Sequence, residues 1–72
     1  MNEINYQIEC TARDLVVLLM TNKGLSMENA LRTLYMSETF TKLKNPETGL
    51  YYQSPLYVYS YLNREIEYGK LN

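Results

Sequence analysis

Ile4, Ile8, Ala12, Leu15 and Leu19 recur at intervals of four, four, three and four residues. Only an α-helix stacks side chains at those spacings into one stripe, so a helix is predicted over about residues 3–22. Lys23 falls in its last turn and Gly24 where a left-handed C-terminal cap belongs, so the stop signal agrees with the period. A first helix this long commits the chain to helical packing, because its apolar stripe has to be covered by further elements of the same chain or of another.

The next segments supply such elements. In "LSMENALRTLYM", Ser26 is an N-cap residue and Glu28 lies in the first turn, where the helix dipole favours an anion. Met27, Ala30, Leu31, Leu34 and Tyr35 then share one face, which predicts a second helix over about 27–37. Ser54-Pro55 is a further start, serine capping and proline at the first helical position where its missing N–H costs nothing. That helix is expected over 55–68, with Gly69 as its C-terminal cap. Between them, "SETFTKLKNPETG" supports two readings. Ser37 would cap a short third helix over 38–44, whereas Thr39, Phe40 and Thr41 are β-favouring types that, with the Asn45-Pro46 and Gly49 turn signals, would pair 39–43 with 49–53 as a small hairpin. The short helix is preferred, followed by a turn and an extended stretch. The fold class expected is all-α: one compact domain over residues 1–72, with three to four helices, and with helices one, two and four around the core.

Composition then removes functions. Seventy-two residues with 46% hydrophobic and 21% charged are enough for one small core, although area scaling leaves a domain of this size burying only about 60% of its unfolded surface. A formal net charge of −1 lacks the clustered positive excess that nucleic acid or an anionic membrane selects. Histidine is absent, which takes away the commonest general base and metal ligand. The lone Cys10 sits mid-helix among apolar residues, where a thiol is normally inert. Glu65 and Glu67 point apart on a helix and read as a solvated face. No catalytic residue, metal site, cofactor or small-molecule substrate is indicated, and the chain is read as non-enzymatic. The longest apolar run, "LVVLLM" at 15–20, is far below the ~20 residues that span a bilayer. A reduced, cytoplasmic protein without membrane contact is expected.

What remains is surplus apolar surface. Six of the eight tyrosines lie between residues 51 and 68. On helix four, Val58, Leu62 and Ile66 take one side, with Tyr57, Tyr61 and Tyr68 beside them, over an arc of roughly 200° where one helix needs ~100° to cover its core. Those tyrosines either edge the core with their hydroxyls in water or form a binding surface, a role tyrosine fills at interface hot spots. Helix one repeats the pattern: Tyr6, Cys10 and Val17 lie opposite its core stripe. The function expected is protein–protein interaction, as a homodimer or by capture of one partner, through Tyr57, Tyr61 and Tyr68 or through Tyr6, Cys10 and Val17. The competing class is a dimeric DNA-binding regulator, with helix two and residues 38–44 as a short helix-turn-helix contacting phosphates through Lys42, Lys44 and Arg64.

The segment "GLSMENALRTLYMSETFTKLKNPETGLYYQSPLYVYSYLNREI", residues 24–66, resembles a family of short bacterial proteins of unknown function that share an "LS-x-x-x-A/V-x-x-L/F" opening, a tyrosine-rich middle and a terminal "YV-x-x-x-L/I" helix. Some of them lie beside toxin-like or mobile-element genes. The resemblance implies an accessory protein that binds a neighbouring gene product, as an antitoxin-like neutraliser would, and carries over no catalytic or ligand residue.

Overall fold

The computed structural model describes residues 3–69. Its helices are α1 (Glu3–Lys23), α2 (Met27–Tyr35), α3 (Glu38–Lys44) and α4 (Pro55–Tyr68), with single 3-10 turns at Pro46–Thr48 and Leu50–Tyr52 between the last two. Each serine start signal is used. Ser26, Ser37 and Ser54 have extended backbone, and their hydroxyl oxygens accept from the N–H groups of Asn29, Phe40 and Tyr57 at 3.2, 3.0 and 3.2 Å. Each caps a donor that the first helical turn cannot satisfy. At the other end of α4, Gly69 takes φ +84°, and its N–H bonds the Glu65 carbonyl at 2.7 Å.

No strand occurs among the described residues, and the hairpin over 39–43 and 49–53 does not form. The reason lies in the bonds available to the backbone. Beyond the Ser37 cap, the Glu65 carboxylate of α4 accepts from the N–H groups of Glu38 and Thr39 at 2.7 and 3.0 Å and from the Thr39 hydroxyl at 2.9 Å. A helix start held by two acceptors outweighs the strand preference of Thr39, Phe40 and Thr41. Downstream, Asn45 Oδ1 accepts from the Glu47 N–H, and the Thr48 hydroxyl donates to the carbonyls of Lys42 and Asn45. These local bonds fold 45–48 into a turn, and Gly49 at φ +71° reverses the chain into a second one, so the stretch expected to be extended is helical in character.

Leu15, Val16 and Leu19 of α1, Ala30 and Leu34 of α2, Leu43 of α3, and Val58 and Leu62 of α4 form one buried cluster. Helices one, two and four surround the core as expected, but α3 is more than a connection: it contributes the fully buried Leu43 and Thr39. Helix α1 is the common wall, packed on α2, α3, α4 and the second 3-10 turn. Its buried side is rotated from the predicted stripe: Thr11 and Val16 are buried, whereas Ile8 and Ala12 only edge the cluster. Ile66, placed with Val58 and Leu62 by spacing, is 39% exposed. Every buried side-chain nitrogen or oxygen among the described residues has a partner. No helix there is long and apolar enough to cross a membrane.

Candidate functional site: an apolar groove between α1, α2 and α3

The amphipathic face of α2 is wider than the contact it makes. Ala30 and Leu34 are buried, but Met27, Leu31 and Tyr35 sit about 20° to 100° further round the helix than Leu34 and climb out of the interface. Met27 is 60% exposed and Tyr35 59%. With Ile8, Ala12 and Val16 of α1 opposite, they enclose a groove of about 960 Å³. Its far corner is aromatic. Phe40 at the start of α3 meets the Tyr35 ring at 5.1 Å between centroids, tilted by 53°, and Lys44 Nζ stands 4.9 Å above the Phe40 ring. That cation–π contact holds an ammonium at the edge of an otherwise apolar corner. Asn5, Glu9 and Arg13 of α1 make a polar rim. An apolar floor with charges confined to its edge is the anatomy of a protein interface.

The residues singled out from sequence lie elsewhere, in two groups. On α4, Tyr57 and Tyr61 come together, rings edge-to-face at 5.3 Å and hydroxyls sharing a hydrogen bond at 3.1 Å. That bond holds the Tyr57 phenol above the ordinary tyrosine value of 10.0, with the neighbouring phenol's charge and partial loss of solvent acting in the same direction. Tyr61 also bounds a smaller cavity of about 270 Å³ with Thr39, Lys42, Thr48 and Leu50, so half of this surface already covers the α3 connection. Tyr68 lies almost two turns beyond Tyr61 and is exposed. On α1, Tyr6 and Val17 are exposed and Cys10 is half-buried, on the side away from Leu15 and Leu19. Neither group lines the groove.

Lys42 and Lys44 are in the last turn of α3 and Arg64 is exposed on α4. The opposite end of α3, which a recognition helix presents to DNA, carries the Glu65 carboxylate. A phosphate approaching that end would meet a negative charge. Glu65 itself corrects its reading as part of a solvated face: it is a half-buried cap tying α4 to α3. Glu67 does face solvent, accepting from Asn63 Nδ2 at 3.1 Å.

No family model, curated protein or solved structure matches the chain.

Proposed function

We propose that this chain is a non-enzymatic interaction module that buries the α1–α2–α3 groove against apolar or aromatic side chains of another polypeptide. The observation that carries this is the groove itself: an apolar channel of about 960 Å³ edged by Met27 and Tyr35, both more than half exposed. Isolated exposed hydrophobes are ordinary, whereas a contiguous patch with a polar rim marks a contact surface. Helix-in-groove recognition suits its form, since a partner helix would set anchors one turn apart along the floor. Self-association and capture of one bacterial partner, in the accessory or antitoxin-like role that the resemblance of residues 24–66 implies, would use the same surface, with Tyr57, Tyr61 and Tyr68 or Tyr6, Cys10 and Val17 as separate contact patches outside the groove.

Site-directed photocrosslinking in living cells tests this. A benzophenone side chain in place of Tyr35, at the groove edge, should yield a discrete covalent adduct, and the same probe at Glu47, on the turn after α3, should not. Adducts absent from both positions, or equally abundant at both, would remove the groove as an interface. The adduct's mass separates its origins: twice 8.5 kDa is a second copy, and any other discrete mass is a foreign partner.

A further inference from the structure

The outer flank of α2 is patterned symmetrically about its middle. Met27, Leu31 and Tyr35 stand at intervals of four, and Glu28 and Arg32 stand at the same interval beside them. If two such helices cross antiparallel at Leu31, each Met27 meets the other copy's Tyr35, and Leu31 meets Leu31. Each Glu28 then stands by the other copy's Arg32. A thioether against an aromatic ring is a favourable contact, and the ion pairs occur twice with opposite sense, as a twofold axis requires. Such a pattern is self-complementary in the antiparallel register. A parallel crossing would set Glu28 on Glu28 and Arg32 on Arg32.

Resting on the groove's role as an interface, we infer that its occupant is a second copy of this chain, packed isologously with the two α2 helices antiparallel about Leu31. Met27 and Tyr35 of each copy fill the groove of the other. A standard interface removes about 800 Å² per partner, which for this chain is roughly a sixth of the 4944 Å² surface. Helix α2 alone is only about 13.5 Å long, so the Phe40 corner and the Glu9–Arg13 rim are needed to reach that area.

Sedimentation equilibrium of the whole chain from micromolar to millimolar concentration gives the first answer, with a dimer expected. Two substitutions then locate the interface. Leu31→Asp should give a monomer with an unchanged helical circular-dichroism spectrum. Should that variant unfold, the exposed Arg32→Glu decides: it sets four carboxylates around the axis and should weaken dimerisation about tenfold or more. Adding Glu28→Arg to it restores the opposite-sign pairs and should recover the wild-type dissociation constant. A mass of 8.5 kDa at every concentration, or a dimer indifferent to Arg32→Glu, overturns the inference. Those results leave the interaction module standing if the Tyr35 crosslink captures a foreign chain, whereas loss of the crosslink removes both.

Discussion

Glu65 shows how one side chain settles what neighbouring residues leave open. Its two oxygens receive three hydrogen bonds from Glu38 and Thr39, and hydrogen bonds to a charged acceptor are stronger than neutral ones. Glu65→Ala exposes those donors and removes a favourable anion from the α3 N-terminus, so it should cost about 2 kcal/mol in urea unfolding. A loss under a few tenths would mean that Ser37 alone suffices. Tyr57 offers a second check at this scale. Its raised value means that folding favours the protonated phenol, so that contribution is complete below pH 10.0 and fades as pH rises through the folded-state value. Ultraviolet titration of tyrosinate should show a late-ionising component that Tyr61→Phe shifts back toward 10.0, because the substitution removes the shared hydrogen bond. An unchanged titration would place the late group elsewhere.

Helix limits were legible because the signals for them are local: serine before the first turn, proline inside it, glycine after the last. Segment 38–44 carries only the serine and was preferred as a helix over a hairpin, whereas segment 55–68, which carries all three signals, was readable to the residue. Residues 45–53 were not, since an Asx turn, a threonine bond to a carbonyl six residues back and a left-handed Gly49 decide them jointly. Periodicity named the faces of the helices correctly in kind but not in rotation. It therefore placed Ile8 and Ala12 in the core stripe, where they instead wall a groove. The groove depends on how far α2 rolls against α1, a quantity no spacing within either helix encodes, although the wide apolar face of α2 was visible in sequence. Helix α3 was undervalued as a core element. Leu43→Ala should cost about 3 kcal/mol, measurable by thermal or urea melting, because the fully buried side chain leaves a cavity. A cost near zero would mean that α3 is a bystander.

At the scale of the molecule, the thinnest dimension is 18 Å. Helices are about 10 Å across, so the chain is two layers deep, and no helix in it can be covered on all sides. Surplus apolar surface is thus a consequence of size: a domain this small expects only about 4–10 kcal/mol of stability, and burying the groove against a second chain would add to it. The Glu65 cap also orders events in time. Chains are synthesised from the N-terminus, and the Glu38 amide precedes the carboxylate that binds it by 27 residues. While the nascent chain lengthens, Ser37 is the only cap α3 has, and Leu43 waits for Val58 and Leu62 to enclose it. A ribosome stalled within α4, or a protease cutting there, therefore releases a product whose middle helix is open at its start, and quality-control enzymes would meet that defect far from the break that caused it.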